Sequence, residues 1–256
     1  HLWPWAYGVS QRCPQAQKRP EVLRQTGEVA VGRVGIMGGT FDPVHYGHLV
    51  TADEARWRFG LSAVVFIPNR HPPHKDPRDV SGPEHRYLMT FLATVTNPHF
   101  SVSRLEIERP GPSYTIDTIH ELRRQYPDDD LYYITGADAL EQILRGEWRE
   151  AAQLLGLCRF IAANRPGYRL DPELWSSVTG ELRAFLDKVH MLEIPAMAIS
   201  STDIRARVRE GRPIRYLVPA AVEGYIVKHR LYVAAAADAE DRLLDDGTRA
   251  TRGGGA

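Results

Sequence analysis

Residues 35–48 read GIMGGTFDPVHYGH: an apolar lead-in, two adjacent glycines, and then His45 and His48 with Gly47 between them. Each residue type there narrows the chemistry. Glycine, lacking a Cβ, lets a ligand's phosphate or sugar come close to the main chain. Imidazoles three apart share one face of a helix, so both rings can donate to a single phosphate chain. A helix opening at that point adds unpaired N–H groups and the positive end of its dipole, and both favour an anion. The spacing predicts an anion site at Gly38, Gly39, His45 and His48, where a strand gives way to a helix. The glycines at 32, 35, 38 and 39 do not spell GxGxxG, and neither GxxxxGKS nor GxxxxGKT occurs. A dinucleotide dehydrogenase and a P-loop enzyme are therefore unsupported.

Those residues need elements to hold them. Val34 to Met37 and Ala63 to Ile67 are short apolar runs rich in β-branched side chains, the pattern of buried parallel strands. Between them Leu49, Ala52, Ala55 and Phe59 recur at helical spacing, and Gly60 is placed to end the helix. The alternation continues with a helix over Glu84 to Val95, a strand near Phe100 to Ile107 and a helix after Tyr114. Strands follow at Leu131 to Thr135, Arg159 to Ala163 and Val189 to Ile194, then closing helices near Thr202 to Arg209 and Pro219 to His229. Strands separated by helices imply an α/β, Rossmann-like fold: a right-handed, doubly wound parallel sheet in a single domain with a small C-terminal helical part. Ligands of such a sheet bind at the carboxyl ends of the strands.

The chain of 256 residues carries 32 basic and 32 acidic side chains and is 43% hydrophobic, which suits one such domain with extensions. A formal charge of zero builds in no bulk attraction to nucleic acid or to a membrane surface. No stretch approaches the roughly 18 apolar residues that span a bilayer. Cys13 and Cys158 lie far apart without metal-type spacing, which fits a reducing cytoplasm. Residues 1–31 mix Trp, Pro, Gln and Arg without period, and 234–256 are small and charged with too little apolar surface to hold a fold. Both are expected to be disordered extensions of a domain over 32–233. A native start near Val31 or Val34 is expected, and nothing in the sequence specifies an oligomeric state.

GGTFDPVHYGH resembles the signature of the nucleotidylyltransferase superfamily, and ISSTDIR at 199–205 is similar to that superfamily's second signature, ISSTxIR. On residue chemistry alone, Ser200, Ser201 and Thr202 suit a helix N-terminus, and Arg205 can meet a phosphate bidentately. Three further stretches resemble bacterial nicotinate-mononucleotide adenylyltransferases: PPHK at 72–75, PSYTIDT at 112–118, and GAD at 136–138 followed by Trp148. The likeness runs from about Val34 to Tyr232. It implies transfer of the adenylyl group of ATP to the 5′-phosphate of nicotinate mononucleotide, giving nicotinate adenine dinucleotide (deamido-NAD) and pyrophosphate in NAD biosynthesis. Mg2+ would travel on the ATP phosphates, without dedicated metal ligands. The resemblance makes His45, His48, Lys75 and Arg205 the catalytic set. Gly39, Thr40, Phe41, Gly136, Asp138, Arg165, Ser200, Ser201 and Thr202 would join His45, His48 and Arg205 in binding ATP. Gly38, Gly39, Lys75, Tyr114, Thr115 and Trp148 would bind the mononucleotide.

Residue chemistry leaves several of these assignments open. NRHPPHKDPRD also reads as a solvated loop in which Arg70 or Arg78 could serve in place of Lys75. Asp138 suits a ribose hydroxyl or a helix N-cap equally, and Trp148 a pyridine ring or the core. In PSYTIDT, Ile116, Ile119 and Leu122 give helical spacing, which puts Thr115 at or beside a helix start whose N–H groups favour an anion. Two other classes compete. HYGH also resembles the HIGH motif of aminoacyl-tRNA synthetases, but no KMSKS-like lysine loop or tRNA-binding module is visible. A nucleotide-binding regulator without turnover is the second, opposed by the intact histidine pair and Arg205.

Overall fold

Alternate side chains of a strand leave in opposite directions, and here both directions lead into apolar packing. The computed structural model describes residues 32–72, 76–164, 172–195 and 197–233. The chain begins β1 (Arg33–Gly39), α1 (Tyr46–Phe59), β2 (Ala63–Pro68), α2 (Pro83–Thr94), β3 (Phe100–Val102), α3 (Leu105–Glu108) and α4 (Thr115–Gln125). It continues with β4 (Asp130–Gly136), α5 (Ala137–Leu144), α6 (Ala151–Leu157), β5 (Arg159–Asn164), α7 (Pro172–Ser177), β6 (Val189–Glu193), α8 (Ser201–Arg209) and α9 (Ala220–Lys228). The strands pair in parallel in the order β3-β2-β1-β4-β5-β6. This is the Rossmann-like, doubly wound sheet that the alternation predicts. Its order reverses between β1 and β4, so the crevice for a ligand opens beyond the ends of those two strands.

Met37, Val64, Phe66, Tyr132 and Ile134 turn towards α1, α2, α8 and α9. Ile36, Val65, Ile67, Leu131 and Tyr133 turn the other way, onto Ile116, Ile119 and Leu122 of α4 and onto Leu140 and Leu154 behind it. Burial on both faces is why these strands read as unbroken apolar runs. Gly60 ends α1 as predicted, at φ 61°, with its N–H on the carbonyls of Arg56 and Trp57.

The strand expected over Phe100 to Ile107 is shorter than its apolar content suggests. Pairing with β2 ends at Val102 opposite Phe66, the Ser103 N–H makes one more bond to the Phe66 carbonyl, and Leu105–Glu108 coil into α3. Helices α5, α6 and α7, of 8, 7 and 6 residues, are too short for periodicity to announce them. Cys158 is a free cysteine, and burial pushes its thiol up to about 12. Cys13 and the extensions expected at 1–31 and 234–256 lie outside the described residues. None of the described helices is long and apolar enough to cross a membrane.

Candidate active site

β1 stops at Gly39 and α1 starts at Tyr46, so residues 40–45 carry the chain from sheet to helix. His45 is the N-cap, extended at φ −147° and ψ 170°, and His48 is the third helical residue; the pair forms a reciprocal capping box. The His45 N–H donates to His48 Nδ1 at 3.2 Å. An accepting Nδ1 carries no proton, so this bond assigns the His48 proton to Nε2, the nitrogen a ligand meets. The two rings stack with centroids 3.8 Å apart and planes at 26°. Phe41, at φ 51° and buried, stands edge-on to the His48 ring at 5.1 Å. Its side chain supports that ring from the core, so what Phe41 can offer a nucleotide is main chain.

The glycines of the motif have a packing reason as well as a ligand reason. A Cβ at Gly47 would lie 3.0 Å from Nδ1 and Cε1 of His45, in the space the ring stack needs. A Cβ at Gly38 would lie 2.6 Å from the Tyr133 hydroxyl, and one at Gly39 3.0 Å from the Phe41 ring.

Beyond these strand ends lies a cleft of about 450 Å³ whose walls include Gly38, His45, His48, Gly136, Asp138 and Ile199. Gly136 is the N-cap of α5, with φ −79° and ψ 158°, and Asp138 sits in the first turn with its carboxylate over that glycine. The N-cap alternative for Asp138 is thereby corrected, since the chain caps this helix with a residue that has no side chain.

Helix α8 docks on the histidine loop. Ser200 caps it, its Oγ accepting the Asp203 N–H at 3.1 Å, while Ser201 Oγ donates to the Pro43 carbonyl at 2.9 Å. Arg205 donates from Nη1 to the Asp42 carbonyl at 2.8 Å and from Nη2 to Thr202 Oγ1 at 3.4 Å. Its fork is thus partly engaged by the chain, although each of those nitrogens keeps a second N–H. Ile199 lines the cleft, whereas Ser200, Ser201, Thr202 and Arg205 are not among its walls.

Of the residues expected around the mononucleotide, Gly38, Thr115 and Trp148 meet at Tyr133. Thr115 opens α4, whose N-cap Tyr114 supplies no side-chain cap. The Thr115 side chain hydrogen-bonds the Tyr133 hydroxyl, whose pKa burial pushes well up. Trp148 is edge-on to the Tyr133 ring at 6.3 Å, and the Arg149 guanidinium lies 4.9 Å over the Tyr114 ring. Tyr133 and Arg149 were not singled out by motif; a tyrosine in an apolar strand and a cation next to Trp148 were the only signals.

Behind the histidine loop sits a buried polar knot that the motifs also do not announce. Asp42 accepts from the Tyr232 hydroxyl at 2.7 Å and from the Ser81 N–H at 3.2 Å. Arg86, 1% exposed, donates to the carbonyls of Thr40, Asn69, Arg70 and Ser81. Lys75 and Arg165 lie outside the described residues. Of the alternatives to Lys75, Arg70 is turned onto the Ile107 carbonyl at 3.3 Å and Arg78 pairs with Asp76 at 2.6 Å. Among the described residues no group of three or more His, Cys, Asp or Glu could hold a metal ion.

Residues 36–207 match the cytidylyltransferase-like family. A protein of Moorella thermoacetica described as a probable nicotinate-nucleotide adenylyltransferase is 55% identical over 208 residues, 78% of this chain and 92% of that one. One of Corynebacterium kroppenstedtii with the same description is 51% identical over 201 residues, 78% of this chain and 91% of that one. Among solved structures, the Plasmodium falciparum nicotinic acid mononucleotide adenylyltransferase complexed with NaAD shares the fold, with a TM-score of 0.62 and 20% identity across 78% of this chain and 97% of that one.

Proposed function

The chain belongs to the cytidylyltransferase-like family and, within it, to the nicotinate-nucleotide adenylyltransferases, and on that footing we propose the reaction its site performs. It transfers the adenylyl group of ATP to the 5′-phosphate of nicotinate mononucleotide, releasing pyrophosphate and giving nicotinate adenine dinucleotide for NAD biosynthesis in the cytoplasm. The observation that carries this reading is the stacked His45–His48 pair on one wall of a cleft, with Gly38 joining that cleft to the Thr115 and Trp148 cluster.

A phosphate monoester has a second pKa of about 6, so at neutral pH the mononucleotide is largely a dianion and needs no general base. Its oxygen bonds to the ATP α-phosphorus as the bond to the bridging oxygen of pyrophosphate breaks. What the protein supplies is alignment and stabilisation of charge. His48 donates through Nε2–H, and His45, stacked on it, serves the same phosphates. Gly39, Thr40 and Phe41 offer main chain, and Asp138 at the start of α5 meets the ribose. Arg205 turns its outstanding N–H groups to the departing pyrophosphate, held in place by Ser200, Ser201 and Thr202. Lys75 adds charge to the phosphates, and Arg165 flanks the adenine. Tyr114, Thr115 and Trp148 receive the pyridine ring. Mg2+ enters as part of the ATP substrate: the site offers N–H donors, whereas a hard cation prefers phosphate oxygens and water.

Pyrophosphate release with ATP and each pyridine mononucleotide tests this reading. Nicotinate mononucleotide should exceed nicotinamide mononucleotide by at least about a hundredfold in kcat/KM, because a carboxamide NH2 would face the N–H groups at the start of α4. Comparable rates would remove the carboxylate assignment, and absence of pyrophosphate with both would remove the reaction.

A further inference from the structure

A charged pair that no step above uses lies behind the start of α4. Glu106 of α3 is 6% exposed, and Thr118, in the first turn of α4, is 2% exposed. Thr118 Oγ1 donates to Glu106 Oε1 at 2.5 Å, while Arg109 Nη2 donates to Thr118 Oγ1 at 2.9 Å and to the Tyr114 carbonyl at 3.4 Å. A hydroxyl has one proton to give, so the chain of bonds runs from Arg109 through Thr118 to Glu106. The Arg109 and Glu106 side chains approach to 3.9 Å. Ser113 also hydrogen-bonds Glu106; its Oγ accepts from the Arg70 N–H at 3.1 Å and its own N–H donates to the His71 carbonyl at 3.0 Å. One network thus grips the N-cap of α4, its first turn, and the chain leaving β2.

A carboxylate this buried is costly unless it is compensated. Its place makes compensation matter more, because it stands beside the helix end that the proposed function gives to the nicotinate carboxylate, and two nearby carboxylates disfavour each other. We propose that Glu106 and Arg109 are a positioning pair that sets selectivity for an anionic pyridine substituent. Arg109, with Arg86, offsets the Glu106 charge at the helix end, and the Arg109–Thr118–Glu106 chain fixes the first turn so that its N–H groups face the substrate carboxylate. This inference rests on the reading of function given above, and neither side chain of the pair is assigned a contact with substrate.

The readout is the ratio of kcat/KM for nicotinate mononucleotide to that for nicotinamide mononucleotide, with the KM for ATP measured alongside. Arg109→Gln removes the closer of the two guanidiniums that compensate the carboxylate, Arg86 being the other, so the ratio should fall at least about tenfold, through the KM for nicotinate mononucleotide, while the KM for ATP stays within about twofold. The double variant Glu106→Gln/Arg109→Gln removes both charges and should recover most of the ratio. A merely structural role would weaken both mononucleotides alike and make the double variant no better than the single. An unchanged ratio in Arg109→Gln, or no recovery in the double variant, overturns the proposal. Glu106→Gln alone, which keeps an acceptor and loses the opposing charge, should hold or raise the ratio; a fall overturns it equally, even if Arg109→Gln does not fold. Wild-type protein without turnover overturns the functional reading, one without preference overturns its carboxylate assignment, and either takes the pair's role with it. A wild-type preference that survives Arg109→Gln overturns only the pair.

Discussion

His48 can present only one nitrogen to a phosphate, because the other accepts the His45 N–H. That single bond links helix capping to the proposed phosphate role: the chain orients the ring and chooses its tautomer. His45→Ala or His48→Ala should lower kcat/KM at least about a hundredfold, the loss of one charge-stabilising donor worth roughly 3 kcal/mol. The thermal midpoint should move little, since removing a cap costs about 1 kcal/mol. Near-normal turnover by either variant would remove the phosphate role. Gly47→Ala makes a sharper test. It adds a methyl 3.0 Å from the His45 ring at a helical position where alanine is the better helix former, so kcat should fall while stability holds or rises. Wild-type kinetics in Gly47→Ala would show that the stacked geometry is dispensable.

Helix α8 works through where it is docked. Ser201 and Arg205 bind the carbonyls of Pro43 and Asp42, tying the second signature to the loop that carries the first. Arg205→Lys keeps the charge but loses the fork that reaches Asp42 and Thr202 and that the proposed function turns to phosphate. Its kcat/KM for ATP should fall at least about tenfold, with a larger rise in the KM for ATP than for the mononucleotide. Equal effects on both substrates would place Arg205 elsewhere in the reaction. The elements that carry these residues were legible where the signal is local. β1, α1 and β2 announce themselves by apolar runs, helical spacing and Gly60, Ser200 marks a helix start by residue type, and the spacing of Ile116, Ile119 and Leu122 places Thr115 at another. What stayed hidden depends on contacts distant in sequence. Leu105 and Ile107 alternate as a strand would, yet β2 offers no edge to them beyond Ser103. Tyr133 matters because Gly38 and Thr115 close over its hydroxyl, and nothing in its own neighbourhood of sequence says so.

At the scale of the whole molecule, the histidine loop is held from behind by groups contributed by α2 and by the segment after α9. Arg86 lies in the interior with burial pulling its pKa down, and four carbonyls from the exits of β1 and β2 and the start of α2 converge on it. Arg86→Met would leave those carbonyls buried without their donor. Stability should drop by at least about 3 kcal/mol, a fall of about 6–12 °C in Tm for a domain of this size. Tyr232 reaches the same knot through Asp42, whose carbonyl in turn holds Arg205. Tyr232→Phe removes only a hydroxyl, but it takes from a buried carboxylate the shorter of its hydrogen bonds from Tyr232 and Ser81, at a cost of about 1–3 kcal/mol. Because Asp42 lies within the histidine loop, kcat should fall as well, by a smaller factor than in His48→Ala. Arg86 interacts with Asp42 through charge and Tyr232 through a hydrogen bond, so their stability effects should couple in a double-mutant cycle by about 0.5 kcal/mol or more. Denaturant unfolding of the two single variants and the double measures that coupling. Strict additivity, with wild-type kcat in Tyr232→Phe, would show that the end of the domain merely covers the loop and does not position it.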